Sequence, residues 1–128
     1  MNLLLDTHIL LWAAADKLSI AARSYVDDMV NKLYFSSVSI WEIVIKQSLG
    51  RKDFFVNSQA LYKGLLDAGY VELEVSSRHA LLVSSLAQIH KDPFDRLLLA
   101  QAASEGLTFV TADEKIKQYP GSIIFVGQ

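Results

Sequence analysis

Short apolar runs alternate with helical segments along almost the whole chain, and this alternation constrains the fold more than any other feature. Strands are predicted at residues 1–5, 34–37, 71–75, 107–110 and 123–126. Helices are predicted at residues 7–15, from a cap at Ser19 to 33, at 39–49, 57–68, 76–89, 93–105 and 113–118. Such alternation predicts an α/β fold with a mostly parallel sheet of about five strands. The 128 residues fit one domain over 1–128.

Composition bears on the cellular compartment in which the protein is expected. No apolar run approaches the roughly 18 to 20 residues that a membrane-spanning helix needs. The N-terminal residues lack the basic region of a signal peptide. There is no cysteine, which excludes disulfides and thiolate metal sites. A cytoplasmic location without membrane contact is therefore expected.

Charge and hydropathy bear on possible partners. The net charge of −2 lacks the basic footprint of most nucleic-acid binders. Any contact with phosphate must therefore come from local basic side chains or from a bound cation that reverses the local sign. Apolar residues make up 52% of the chain. A large core explains this figure more simply than a surface covered by a partner, although both interpretations stay open.

Four acidic residues occupy related places in the predicted pattern. Asp6 follows the first strand, Glu42 lies in the first turn of the helix after the second strand, and Asp113 follows the fourth strand. Parallel sheets bind ligands at the carboxyl ends of their strands, so these three acids are expected at one edge. Asp95 lies in the first turn of the helix that Pro93 opens, and the order of elements alone does not place it beside them.

Each acid also has an ordinary structural explanation. Ser39 and Glu42 have the spacing of a capping box, and the segment 92–95 is typical of a capped helix start. The other two acids suit turns or helix caps. However, Asp6 and Glu42 interrupt strongly apolar surroundings, and no Lys or Arg lies within two residues of either. Since a buried carboxylate without a partner is costly, this placement favours a functional role.

If the four carboxylates converge, they need a cation or protons. Two carboxylates about 4 Å apart repel each other by about 4 kcal/mol at an effective dielectric constant of 20. Oxygen ligands and the absence of cysteine favour Mg²⁺ or Mn²⁺ over Zn²⁺. Such an ion can polarise a phosphodiester and activate water without a side-chain nucleophile, and a carboxylate can accept the proton of the water.

Four segments together resemble the PIN domain and, more narrowly, the VapC-type toxins of type II toxin–antitoxin systems: Leu-Leu-Leu-Asp6-Thr-His, Ser39-Ile-Trp-Glu42-Ile, Asp92-Pro-Phe-Asp95-Arg-Leu-Leu-Leu-Ala and Phe109-Val-Thr-Ala-Asp113. The resemblance implies an α/β/α sandwich, a Mg²⁺- or Mn²⁺-dependent endoribonuclease acting on RNA, a homodimer and an antitoxin that blocks the site. It also implies that the four acids meet as a catalytic and metal-binding set, with Asp6 and Asp95 as direct ligands.

Two threonines are candidates for supporting roles. Thr7 resembles the small hydroxyl residue that follows the first acid in the family; it either orients a metal-bound water or caps a helix. Thr111 has a similar role, with capping or strand packing favoured. His8 is expected to pack or to form local hydrogen bonds rather than to contact phosphate. No role is assigned to His79 or His90.

Charged neighbours of the acids complete the supporting set. Lys46 follows Glu42 by four residues, a spacing that equally suits a salt bridge and a contact with substrate phosphate. Asp92 is most simply a helix cap, with support of the metal site as the second interpretation. Arg96 is expected to pair with a neighbouring acid. Arg51 is a candidate RNA contact together with the lysine after it, although a solvated loop is the simpler interpretation.

Aromatic side chains offer a further possible contact with RNA. The candidates for base stacking or for an interface are Trp12, Trp41, Phe54 and Phe55. Core packing is the simpler interpretation for aromatic residues in so apolar a chain. The adjacent phenylalanines, in a charged stretch, suit the core least.

Three other functions compete with the nuclease. A haloacid-dehalogenase-like phosphatase needs a second Asp two residues after the first, where His8 stands. A receiver domain needs a phosphoacceptor Asp after its third strand, where Ser76 and Ser77 stand. The third alternative is a catalytically inactive PIN-like interaction module whose acids serve only as helix caps. The presence of all four acids disfavours it.

Overall fold

The computed structural model describes residues 1–50 and 56–127. The strands are β1 (Asn2–Leu5), β2 (Lys32–Ser36), β3 (Val71–Leu73), β4 (Thr108–Thr111) and β5 (Ile123–Phe125). The helices are α1 (Thr7–Ala14), α2 (Ile20–Val26), α3 (Ser37–Ser48), α4 (Ser58–Asp67), α5 (Ser77–Leu82) and α6 (Pro93–Glu105), with 3₁₀ turns at Val83–Ser85 and Ile116–Gln118. All strand pairs are parallel, in the order β3-β2-β1-β4-β5. The predicted α/β fold is confirmed.

The sheet separates two hydrophobic cores. Side chains alternate between the faces of a strand, so Leu3 and Leu5 of β1 enter one core while Leu4 enters the other. Helices α1, α2 and α4 cover the first face. Helix α6 covers the second face through residues such as Leu98 and Leu99. Helices on both faces of the sheet bury most of β1 and β4, which explains why these strands are apolar at successive positions.

The order of the strands creates a crevice beside Asp6. The chain runs from β1 outward through β2 to β3 and then crosses back to place β4 on the opposite side of β1. A reversal of this kind opens a ligand crevice at the carboxyl ends of the two central strands. Asp6 follows β1 at that point, and its backbone N–H donates to the carbonyl of Val110 at 3.0 Å.

Helix α6 begins at the same edge of the sheet. It runs into β4 through a short link at Gly106, which ends the helix in the left-handed conformation with φ 68°. A helix that precedes a parallel strand through so short a link runs antiparallel to it and therefore starts at the carboxyl edge. Asp92 caps this start and Pro93 occupies the first turn, as predicted.

Three predicted helices are shorter in the structure. Helix α2 ends at Val26, and Met29 and Val30 are 98% and 83% exposed, because Asp28 turns the chain by accepting from the N–H of Val30. The helix predicted at 76–89 ends at Leu82, with only a 3₁₀ turn beyond it. The predicted helix at 113–118 is likewise reduced to a 3₁₀ turn. Apolar spacing alone overestimated all three.

The predicted capping box at Ser39 and Glu42 is wrong. Helix α3 begins two residues earlier, and Ser36 caps it by accepting from the N–H of Val38. Glu42 is therefore the sixth helical residue and lies beyond the first turn. The start moves because β2 leads into α3 without a loop, which leaves the hydroxyl of Ser39 free for another partner.

None of the helices within residues 1–50 and 56–127 has the length and apolar composition required to cross a lipid bilayer.

Candidate metal site

Asp6 is a buried carboxylate with one oxygen satisfied. Its side chain lies in the crevice between β1 and β4, and the residue is only 2% exposed. The hydroxyl of Thr111 donates to its Oδ2 at 2.7 Å. Its Oδ1 is buried and has no hydrogen-bond partner among the described residues. Burial raises the pKa of Asp6 and outweighs the bond from Thr111 and the charge of nearby His8, which both lower it; the charge of Glu42 raises it further.

Glu42, on α3, is also a buried carboxylate with one oxygen paired and the other without a partner among the described residues. The residue is 7% exposed, and Nζ of Lys46 lies 3.2 Å from its Oε2. Its Oε1 is buried and lacks a hydrogen-bond partner within the described part of the chain. An orphaned buried oxygen is costly, and two in one crevice require an explanation other than packing. The salt-bridge interpretation of Lys46 agrees with this contact.

Asp95 experiences the combined charge of the other acids. Its side chain is 14% exposed, and its pKa is raised from 3.8 to about 8. Burial is the largest cause, followed by repulsion from Asp6, Asp92, Glu42 and Asp113. The charges of the other three predicted acids thus reach Asp95 and oppose its ionisation, an arrangement that a dication stabilises.

Asp113 differs because donors occupy both of its oxygens. The N–H of Lys115 donates to Oδ1 at 2.8 Å, and Nε2 of His90 lies 2.9 Å from Oδ2 in hydrogen-bonding geometry. Burial alone would raise the pKa of Asp113, but these two donors outweigh it and hold the pKa below its usual value. Asp113 therefore stays ionised more readily than Asp6 or Asp95.

His90 is the member of the site that sequence reasoning missed. Its Nε2 also lies 3.0 Å from Oδ2 of Asp95, so one ring nitrogen contacts two acids. His90, Asp95 and Asp113 form the group in the described chain whose ligand atoms lie within 4.8 Å of one another. The available signal was its position in the loop that leads into α6. A lone histidine in a loop is too common to be specific.

The two threonines link the elements that carry the acids. Thr7 donates to the hydroxyl of Ser39 at 2.8 Å, which joins the start of α1 to α3 in the buried interior. Thr111 accepts from the N–H of Asp113 at 3.0 Å while it donates to Asp6. These bonds join the elements that surround the crevice.

Asp92 and Arg96 form hydrogen bonds with the backbone close to Asp95. Oδ1 of Asp92 accepts from the backbone N–H groups of Phe94 and Asp95, at 2.8 and 3.3 Å. The expectation that Arg96 pairs with an acid is wrong for the described residues. Arg96 is buried and its guanidinium donates to backbone carbonyls, at 3.1 Å for Val83 and 2.9 Å for Ala87.

These carbonyl contacts lie where the predicted helix would have continued beyond α5. A helix that continued through residue 87 would use the carbonyl of Val83 for the N–H of Ala87. That carbonyl accepts instead from the N–H of Leu86, in a 3₁₀ turn, and from the guanidinium of Arg96. A 3₁₀ bond and a tertiary contact therefore occupy the carbonyl in place of an α-helical bond.

The other candidates are exposed side chains or lie outside the described chain. His8 is exposed and its ring lies 5.9 Å from that of Trp12. Trp41 is 60% exposed and meets Phe94 edge to face at 5.4 Å, so it is not a core residue. The proposed RNA contacts in the segment 51–55, including both phenylalanines, lie outside the described residues.

The free oxygens fit a hard cation. Asp6 and Glu42 each present one buried oxygen without a partner, and Oδ1 of Asp95 accepts no hydrogen bond from the described residues. All three atoms are carboxylate oxygens, the ligands that Mg²⁺ and Mn²⁺ prefer. The donor set therefore suits such an ion.

The chain belongs to the PIN domain family. The family model described as "PIN domain" matches residues 3–122, which is nearly the whole chain. No curated protein matches the sequence significantly. Family membership agrees with the resemblance that the four acidic segments indicate.

Solved structures share the fold at low sequence identity. VapBC2 from Rickettsia felis, bound to a DNA fragment from its promoter, is 18% identical with a TM-score of 0.74, covering 100% of this chain and 99% of that chain. DNA-bound VapBC from Salmonella typhimurium is 18% identical with a TM-score of 0.71, covering 98% of each chain. VapBC-1 from nontypeable Haemophilus influenzae is 18% identical with a TM-score of 0.67, also covering 98% of each.

Proposed function

We propose that this protein is a Mg²⁺- or Mn²⁺-dependent endoribonuclease and the toxin of a toxin–antitoxin pair. The observation that carries the proposal is a pair of buried carboxylate oxygens, Oδ1 of Asp6 and Oε1 of Glu42, that have no partner in the described part of the chain. The raised pKa of Asp95 adds that the acids repel one another when no cation balances them. Membership of the PIN domain family and the resemblance to VapC-type toxins point to the same chemistry.

Asp6, Glu42 and Asp95 would hold the ion, and Asp113 would complete the anionic pocket. When bound, a hard dication supplies Lewis-acid chemistry: it polarises the phosphodiester and lowers the pKa of the attacking water. No side-chain nucleophile is needed, and one of the carboxylates accepts the proton of the water.

Other side chains prepare this pocket. Thr111 holds Oδ2 of Asp6 and Lys46 holds Oε2 of Glu42, which leaves the second oxygen of each acid for the cation. Supporting bonds of this kind fix the orientation of metal-binding carboxylates. Lys46 is 28% exposed, so it also presents positive charge toward a substrate phosphate at the rim.

The alternative function, an inactive interaction module with capping acids, explains fewer contacts. Asp6 occupies the position before α1, yet its side chain forms no capping bond there among the described residues. Glu42 lies inside α3, and the residue that caps α6 is Asp92 rather than Asp95. Capping therefore does not account for three of the four acids.

The partner proposals rest on the structural neighbours and on exposed apolar surface. The three structural neighbours are toxin–antitoxin proteins. We propose that an apolar segment of an antitoxin binds a groove of about 530 Å³ beside α1 and α4. Residues that line it are Leu11, Ala14, Ala60, Leu61, Leu65 and Tyr70. The homodimer is proposed from the resemblance alone.

The first test is Asp6→Asn, which keeps the size of the side chain and removes its charge. We expect RNA cleavage in Mn²⁺ to fall by at least about 100-fold, because loss of groups that merely support a metal ligand already costs 10- to 100-fold. The melting temperature without metal should not fall, since the substitution removes a buried charge. Cleavage of a labelled single-stranded RNA is measured by gel, with a DNA of the same sequence alongside.

Asp67→Asn, at the exposed end of α4, is the matched control and should cleave like the wild type. Cleavage of equal rate in EDTA and in Mn²⁺, or an Asp6→Asn protein as active as the control, would refute the mechanism. Cleavage of DNA in place of RNA would overturn the substrate assignment and leave the metal chemistry standing.

A further inference from the structure

His90 lies within the acidic site and holds two of its members together. Its Nε2 is 2.9 Å from Oδ2 of Asp113 and 3.0 Å from Oδ2 of Asp95. The imidazole is 12% exposed, so these contacts are largely shielded from water. This geometry allows Nε2 to be either a ligand of the cation or a donor to the carboxylates. Either role rests on the proposed metal-dependent function of the site.

The other ring nitrogen decides the tautomer. Nδ1 of His90 accepts a hydrogen bond from the backbone N–H of Asp92 at 3.2 Å. A nitrogen that accepts carries no proton, so the neutral ring must carry its proton on Nε2. A protonated Nε2 donates to Asp113 and has no lone pair for a metal. A ligand role for Nε2 would require a proton on Nδ1, which would then face the N–H of Asp92.

The loop that carries His90 is held in place by buried partners. The backbone N–H of His90 donates to the hydroxyl of Tyr119 at 2.8 Å. The guanidinium of Arg96 donates to that same hydroxyl at 3.3 Å and to the carbonyl of His90 at 3.4 Å. This framework explains why a buried arginine lies beside an acidic site without pairing with the acids. It makes the position of the imidazole independent of the cation.

Nε2 of His90 contacts two carboxylates that repel each other. Asp95 and Asp113 repel each other, and Asp113 contributes to the raised pKa of Asp95. An N–H placed between their Oδ2 atoms offsets part of this repulsion and keeps the carboxyl groups adjacent. Oδ1 of Asp95 stays without a hydrogen bond from the described residues and remains available to a cation.

We propose that His90 is a positioning residue, a neutral Nε2–H donor that holds the Asp95 and Asp113 carboxyl groups side by side for the cation. It contributes no bond to the metal. Groups that orient metal-binding carboxylates in this way typically change metal affinity by 10- to 100-fold when removed. The effect of His90 should therefore appear in metal binding itself and not only in activity.

The test compares Mn²⁺ affinity in the wild type, His90→Leu and His90→Gln. Leucine fills similar space without a donor, whereas glutamine carries an amide N–H at nearly the reach of Nε2. We expect His90→Leu to bind Mn²⁺ at least about 10-fold more weakly and His90→Gln to stay within about 3-fold of the wild type. Free Mn²⁺ is measured by electron paramagnetic resonance, and Asp67→Asn, at the exposed end of α4, is the control.

A second readout on the same samples separates donor from ligand. Pulsed electron paramagnetic resonance of bound Mn²⁺ detects a directly bonded ¹⁴N nucleus, and we expect no histidine coupling in the wild type. A coupling that disappears in His90→Gln would make His90 a ligand and overturn the proposal. Tighter binding by His90→Leu would show that the ring competes with the cation and would also overturn it.

The remaining outcomes distinguish the two proposals. Wild-type protein that binds Mn²⁺ and a His90→Leu variant of equal affinity refute the positioning role alone. Wild-type protein that binds no Mn²⁺ at millimolar concentration refutes the proposed metal-dependent function and this inference with it. Melting curves in EDTA establish that each variant is folded before its affinity is compared.

Discussion

The two ends of α6 carry the same kind of contact with opposite electrostatic results. At the C-terminal end, Nε2 of His79 lies 3.0 Å from Oε2 of Glu105, and at the N-terminal end His90 lies 3.0 Å from Oδ2 of Asp95. The pKa of Glu105 is lowered, mainly by the bond from His79 and then by Arg78. The pKa of Asp95 is raised to about 8 by burial and by the neighbouring acids.

His79 and His90 form the same local hydrogen bond with the backbone. Nδ1 of His79 accepts from the N–H of Ser76, just as Nδ1 of His90 accepts from that of Asp92, so both rings donate through Nε2. The surroundings differ. Arg78 lies 2.8 Å from Glu105 and balances its charge, whereas Asp95 is surrounded by acids. A histidine–carboxylate contact is therefore structural where charge is balanced, and the proposed cation site lies where it is not.

The largest expected difference between the two ends is in metal binding. Mn²⁺ at about 100 times its dissociation constant stabilises a folded protein by about 2.7 kcal/mol, which corresponds to about 10 °C in melting temperature for a domain of this size. We expect this shift in the wild type and in Glu105→Gln, and little shift in Asp95→Asn. Differential scanning fluorimetry with and without Mn²⁺ measures it. An equal shift in all three proteins would place the metal elsewhere.

The second-largest expected effect is the change in the free energy of unfolding with pH. Because the pKa of Asp95 is about 8 in the folded protein and about 3.8 when unfolded, the folded state binds the extra proton between these values. The stability that this proton provides is fully present below about pH 4 and is lost as pH rises toward 8. In EDTA at pH 8, Asp95→Asn should therefore melt at least about 4 °C above the wild type.

Melting curves in EDTA from pH 5 to pH 8 test this slope. The wild type should lose stability relative to Asp95→Asn across the range, and added Mn²⁺ should reduce the difference. Parallel curves for the two proteins would mean that Asp95 is not held in a repulsive environment by the neighbouring acids.

The smallest effect is expected at the other end of the helix. The pKa of Glu105 is lowered on folding, so its contribution is present above about pH 4.5 and is lost as pH falls through the folded value. Exposed ion pairs contribute little, and Glu105→Gln should lower the melting temperature by about 2 °C or less at pH 7. The difference should vanish near pH 3. A larger loss, or one that grows in acid, would contradict the charge balance at this end.

Residue patterns in the sequence were enough for the strands and for several helix ends. The apolar runs predicted all five strands, because buried parallel strands need apolar side chains on both faces. Ser19, Asp92, Pro93 and Gly106 marked helix boundaries, because capping depends on neighbours within four residues. The family resemblance came from the same local segments and is confirmed by the match over residues 3–122.

Errors occurred where contacts distant in the chain replaced local ones. Beyond the early end of the helix predicted over 76–89, the carbonyls of Val83 and Ala87 accept from Arg96. The expected ion pair of Arg96 failed because its guanidinium bonds to these carbonyls. Ser39 was assigned to a capping box, although its hydroxyl serves Thr7 from another helix.

By itself, the sequence determined the alternating elements, the acids at the ends of strands and the membership of the PIN domain family, because these depend on short segments. Only the tertiary structure decided that Asp95 lies among the other acids and that His90 lies between two of them. Helix α6 brings Asp95 to the crevice because it runs antiparallel to β4. Such placement arises from packing between elements, and no local spacing of residues encodes it.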